Sequence, residues 1–320
     1  MAVKTQAKAL YWRIQWQRNR LLLPLYVIVI ILFLAYAGLF PGLFSQAGIA
    51  HFAQSWFPLA LVAMAQTILM LAGSISLAIG PLVSLGGVIA ATTMAPFGSF
   101  VSILLVLLGG FIIGIACGVI VALVRLPAII VTLAGSFIIG GLALMILPQP
   151  GGHILPWLST LLAGNNPVAL LLLILGLCLA WKFYLATPWG LALYAAGENP
   201  MAAYRSGVPV QMTIILAFGI SGALSTLAGL FVAAQTGSGD PVIGTPFTLN
   251  SIAAVVLGGV GFLGGEGTMR GALAGSLLLN VMISVMFFLG MPPVAQYIAQ
   301  GLIIVIAVAL PHLLHRRRRS

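Results

Sequence analysis

The chain has 320 residues, 62% of them apolar and 5% charged, with 13 Lys and Arg against 3 Asp and Glu and a mean hydropathy of +1.20. A soluble domain carries about a quarter of its residues as charges, so this composition describes a polytopic membrane protein. The net charge of +10 sits at the ends of apolar runs and not on one folded patch, which favours anionic lipid over nucleic acid as its partner.

The apolar runs predict an all-α fold of about ten transmembrane helices, at residues 21–41, 53–72, 75–95, 99–123, 128–147, 167–186, 210–236, 247–262, 271–289 and 293–311. Basic residues followed by an apolar run, with Ser45 and Ala47 beyond, resemble a secretion signal. The run 21–40 is long enough to span a bilayer, however, and reads as an uncleaved first helix. Gly80 and Pro81 fall inside the third predicted span. Proline removes a donor and disfavours helix before it, and a break at membrane depth is tolerated only where protein or a water-filled cavity satisfies the backbone. Residues 73–80 are therefore a candidate for the solute pathway, with an ordinary kink as the alternative.

Gly110, Gly114 and Gly118 form one ladder at four-residue spacing, and Gly267, Gly271 and Gly275 another; both predict close helix packing. Cys117 and Cys178 lie in apolar runs and indicate neither a disulfide framework nor a metal site. The uncharged stretch 148–167, with Gln149, His153, Trp157, Asn165 and Asn166, reads as a connector or a cap. The eighth span is short for a straight crossing. In the polar stretch 187–209, Asn199 can cap a short helix with Pro200 at its first position, and Gly207 can end it.

This threading puts every basic residue on one side. Lys4, Lys8, Arg13, Arg18 and Arg20 form a basic N-terminus at 1–20. Arg125, Lys182, Arg205 and Arg270 fall in or beside alternate loops, and Arg316 to Arg319 lie in a tail at 312–320. The positive-inside rule makes that side cytoplasmic and both termini with it.

The acids Glu198, Asp240 and Glu266 all map to loops. A carrier driven by protons or sodium usually needs ionisable groups inside the membrane, so the composition argues against one, although broken-helix carbonyls can hold sodium. No metal-binding or catalytic cluster is evident. Gly259, Gly261 and Gly264 match a dinucleotide pattern without its βαβ unit or its acid. None of Lys4, Lys8 or Lys182 follows a glycine, so no phosphate-binding loop is present. Energy for active transport would come from another polypeptide.

Ala195, Gly197, Glu198, Asn199, Ala202, Ala203, Arg205, Ser206 and Gly207 belong to a segment that resembles the ATPase-docking loop in the permease subunits of ribose-type monosaccharide ABC importers. Leu126, Pro127, Ile130, Val131, Thr132 and Leu133, then 252–259 with Gly264, Gly265, Glu266 and Gly267, repeat the resemblance in the family's order. It implies an ABC-importer permease fold in a single domain over 1–320, with 187–209 as the ATPase-coupling loop. It also implies an inner-membrane location, a second permease subunit, a partner ATPase that uses ATP and magnesium, and an extracytoplasmic sugar-binding protein. This chain itself would hold no cofactor. Where the family reads Gly-Gly-Ile-Asp-Leu-Ser-Val-Gly, this chain has Ser76 in place of the acid and Ala78 in place of the serine. A heterodimer with a permease that keeps the acid follows as the leading reading, with a homodimer as its rival. A neutral solute needs hydroxyl and amide partners, and Gln66, Ser74, Ser76, Thr132, Ser136, Asn250, Asn280 and Gln296 are the candidates for the pathway. A self-sufficient carrier or channel, and a permease for branched-chain amino acids or nucleosides, are the alternatives.

Overall fold

Capping residues and left-handed glycines set the limits of the helices. The computed structural model describes residues 25–38, 40–163, 168–292, 294–296, 298–299 and 301–302. The basic N-terminus and tail, and most of the tenth predicted span, lie outside them. In chain order the helices are α1 (Leu25–Gly38), α2 (Gln46–Leu71), α3 (Ile79–Leu123), α4 (Ala128–Ile146), α5 (Pro156–Ala163), α6 (Val168–Leu185), α7 (Pro188–Glu198), α8 (Pro200–Arg205), α9 (Val210–Thr236), α10 (Thr245–Leu257) and α11 (Met269–Phe288). Among the described residues there is no strand beyond an isolated bridge between Gly151 and Gly239.

Among the described residues, five helices are long and apolar enough to cross a membrane, or six if the bent pair Leu172–Leu185 and Pro188–Glu198 counts as one. One of the five, α3, is a hairpin. Gly98 adopts φ 77°, ψ 169° and separates two arms, 79–97 and 99–123, which correspond to the third and fourth predicted spans. The ring nitrogen of Trp157 donates to Ser99 Oγ beside this turn.

Of the boundaries that differ from the sequence reading, three bear on the site. Gly80 and Pro81 lie in the first turn of α3, where a missing donor is harmless; the break precedes them, at 73–78. The eighth span stops at Leu257, because Gly259 turns left-handed at φ 75°. The loop 187–209 holds two helices, α7 and α8, and not one.

At the centre stands α2. Every residue from 57 to 71 is buried, as expected for a helix apolar on all sides. It packs against α9, α10 and α11, while α1 covers α11 through Leu25, Val29, Ala274 and Leu278. The most extensive contact is α3 with α9, and glycine makes it possible. A Cβ on Gly110 would collide with Gly222 O, one on Gly114 with Phe218 O, and one on Gly229 with Val83 O. The first glycine ladder is thus a backbone-to-backbone seam. In the second, Gly271 and Gly275 pack α11 on α10, whereas Gly267 (φ 123°) belongs to the loop before α11.

The stretch before α5 and the loop after α9 are joined where α9 stops. Gly151 and Gly239 exchange backbone hydrogen bonds of 2.9 and 2.8 Å, and His153 N–H donates to Ala91 O at 3.0 Å.

A methyl group on the seam should force the helices apart, whereas one on an exposed helix should help. Gly229→Ala is expected to cost about 1–3 kcal/mol through overpacking, lowering the melting midpoint of the detergent-solubilised protein. Gly176→Ala, whose Cβ meets nothing within 4 Å, should leave that midpoint unchanged or raise it.

Candidate translocation and coupling site

Residues 73–78 form a non-helical segment between α2 and α3, buried at Ser74, Ser76 and Ala78. Such a segment exposes backbone donors that an apolar surrounding cannot satisfy, and neighbouring groups supply the partners. Ser74 N–H donates to Leu69 O (2.9 Å) and Gly73 N–H to Met70 O (3.0 Å). Leu77 N–H donates to Thr132 Oγ1 of α4 (3.0 Å), which itself donates to Ala128 O (2.8 Å). Ser76 Oγ accepts from Ala78 N–H at 3.2 Å. Three of the predicted pathway residues, Ser74, Ser76 and Thr132, are therefore brought together.

At Ala78, the residue preceding α3, no side chain caps the helix. Its first turn lies close to the start of α10. A Cβ on Gly80 would collide with Thr248 Oγ1, and Ser84 Oγ accepts from Gly244 N–H at 2.9 Å.

The remaining pathway candidates do not converge there. Gln66, in α2, is fully buried, and neither amide atom has a hydrogen-bond partner. Ser136 bonds its own helix at Leu133 O, and Asn250 is half-buried on α10. Asn280 donates to Ser55 Oγ at 3.2 Å. It opens with Gln296 into a separate cavity of about 500 Å³ between α1, α2 and α11, walled by Tyr36, Phe40, Phe287 and Phe288.

The segment predicted to couple forms as its caps direct. Asn199 Oδ1 accepts from Ala202 N–H (3.0 Å), Pro200 opens α8, and Gly207 ends it at φ 82°. Glu198 and Arg205 are exposed, as are Asn199, Ala202, Ser206 and Gly207, while Gly197 and Ala203 are buried. The helix missed in the sequence, α7, carries the same signals: Thr187 Oγ1 accepts from Gly190 N–H, with Pro188 at the first position. Its buried Gly197 lies against Leu71 O, beside the start of the non-helical segment. Among the described residues, no Asp, Glu, Lys or Arg is buried, and no group of His, Cys, Asp or Glu could hold a metal.

The hydrogen bond across to α4 is open to test. Thr132→Val should leave the part-buried Leu77 N–H without its partner at a cost of about 1–3 kcal/mol, read as a lower midpoint in thermal denaturation of the purified variant.

Residues 48–308 match the family described as branched-chain amino acid transport system / permease component. The chain is 30% identical over 292 residues to the ribose import permease protein RbsC of Haemophilus influenzae, covering 88% of this chain and 90% of that one. It is 34% identical over 245 residues to the autoinducer 2 import system permease protein LsrC of Photorhabdus laumondii, with 73% and 72% covered. With the corresponding Yersinia pestis protein the identity is 35% over 240 residues, with 73% and 68% covered. No solved structure matches the chain. A match over most of its length, on an all-helical body with membrane-spanning helices, places this chain in the permease-component family of those transport systems.

Proposed function

We propose that this chain is the membrane-spanning subunit of an ATP-driven importer for a small neutral solute, with a monosaccharide of the ribose class as the leading cargo. The observation that carries the proposal is the contact of the end of α7, at Gly197, with Leu71 and Gly73 where the non-helical segment 73–78 begins. Exposed coupling residues sit on one side of Gly197, and a buried non-helical segment with hydroxyl groups on the other. In this reading a cytoplasmic ATPase docks on Gly197, Glu198, Asn199, Ala202, Ala203, Arg205, Ser206 and Gly207. Its ATP-driven closure then shifts the path past Ser74, Ser76 and Thr132.

Support for a neutral cargo comes from the absence of any buried charge among the described residues; a desolvated ion would need a partner there. The relatives named for ribose and autoinducer 2 import agree with such a cargo. A branched-chain amino acid, suggested by the family's description, is the second reading. It requires the binding protein to shield the two charges of the substrate.

Within the complete assembly this chain would cross the inner membrane about ten times, with both termini cytoplasmic. A binding protein would deliver solute from outside. At Ser76 the chain lacks the acid that the family usually carries, so its permease partner is a different chain that retains one.

Co-expression with the neighbouring genes, followed by purification, should recover an ATPase and a second permease. Recovery of this permease alone with the ATPase would leave a homodimer. Solute uptake by the lone chain in liposomes would refute the importer reading altogether. Glu198→Lys and Arg205→Glu should each reduce ATP-driven uptake at least about tenfold, the factor that 1.4 kcal/mol of lost docking energy produces. Insertion of the chain, followed by membrane fractionation, should be unaffected.

A further inference from the structure

A second feature of the coupling helices is where their buried end points. Gly265 N–H donates to Leu71 O, the last residue of α2, at 3.1 Å. The same carbonyl occupies the place a Cβ on Gly197 would take, and that Cβ would also lie 2.6 Å from Gly265 N. A Cβ on Gly264 would come within 2.7 Å of Gly197 O and of Gly73 Cα, and one on Gly265 within 2.6 Å of Glu198 Cβ. Gly73, Gly264 and Gly265 all have positive φ, at 74°, 90° and 70°. Three separate segments thus meet backbone to backbone, with only Glu198 Cβ added beside Gly265. Tyr194 adds a polar tie, its hydroxyl donating to Gly267 O at 3.2 Å.

We propose that Gly73, Gly197, Gly264, Gly265 and Tyr194 are the positioning residues that transmit docking-helix motion to a unit made of the segment 73–78 and α10; this rests on α7 and α8 being the ATPase-docking surface. The two members of the unit are tied together at both ends. They are joined at one end by the glycine junction, through the loop that follows α10. At the other end Gly80 meets Thr248 and Gly244, and Ser84 bonds Gly244. A displacement of α7 cannot be absorbed by side-chain rotation where only backbone touches backbone. It passes to Leu71 and Gly73 on one branch and to Gly264 and Gly265 on the other, so α10 moves together with the segment carrying Ser74 and Ser76.

The test uses the intact complex with its ATPase and binding protein, reconstituted in liposomes. It measures ATP hydrolysed per solute imported, with the amount of ATPase bound per permease as a second readout. Tyr194→Phe removes one hydrogen bond without changing shape, and Gly265→Ala forces the loop off Glu198. Each should raise ATP consumed per solute about fivefold or more, the lower range of coupling between sites, with bound ATPase unchanged. Gly290→Ala, at φ 72° with nothing within 4 Å, should not alter the ratio. Should Gly265→Ala fail to fold, Tyr194→Phe decides the matter alone. An unchanged ratio with the ATPase still bound would overturn the junction and leave the docking surface standing. If the wild-type chain retains no ATPase, both fall.

Discussion

Satisfaction of backbone polar groups away from water is the constraint on which this molecule depends. In hydrocarbon an unpartnered N–H or C=O costs several kcal/mol, so a chain of mean hydropathy +1.20 has few ways to interrupt a helix. The interruption at 73–78 is permitted because Thr132, Ser76 and the carbonyls of Leu69 and Met70 accept its donors. The same requirement explains the location of α4. Thr132 is fully buried, and its hydroxyl serves two backbones at once. The non-helical segment is held by its neighbours, and any change of its path must exchange those bonds for others.

Close approach is the second consequence. Apolar side chains gain little from meeting each other in lipid, so helix association relies on contact distance and small residues. The seam between α3 and α9, the contact of α11 with α10, and the junction around Gly197 all follow this rule at different depths. Their roles differ. A seam between two long helices fixes one rigid pair, because displacement must shear many contacts together. The junction where the ends of α2 and α7 meet the loop after α10 rests on a few close backbone contacts. That difference in extent separates the long seam of α3 and α9 from the junction around Gly197.

Much of this was legible in the sequence, where local chemistry decides the outcome. The limits of α9 coincide with the predicted seventh span, and the second arm of α3 with the fourth, because charged or proline-containing turns flank both apolar runs. Asn199, Pro200 and Gly207 announced α8 through capping rules that need no tertiary context. The start of α3 was misread because the pair Gly80 and Pro81 suits either a break or a first turn, and only the bond from Leu77 to Thr132 selects the second. Gln66 and Asn280 shared a polar character with Ser76 but not its neighbourhood, since grouping of side chains depends on which helix faces which. The glycines at 264 and 265 were visible as a motif, yet their contact with Gly197 joins residues far apart in the chain, and no periodicity encodes that.

The substitutions at positions 76 and 78 acquire a physical meaning from this geometry. A carboxylate at 76 could accept the Ala78 N–H as Ser76 does, but it would bring a charge into a buried segment among apolar helices, a costly state without a cation nearby. No Lys or Arg is buried among the described residues to offset it. A permease that carries the acid must therefore find compensation in its solute, in a proton or at the subunit interface. This chain needs none of these: Ser76 keeps the local turn and removes the charge. No side chain caps the first turn of α3 at Ala78. The entrance to α3 is therefore neutral and is held by hydroxyl and backbone hydrogen bonds alone, through Ser76 and Thr132.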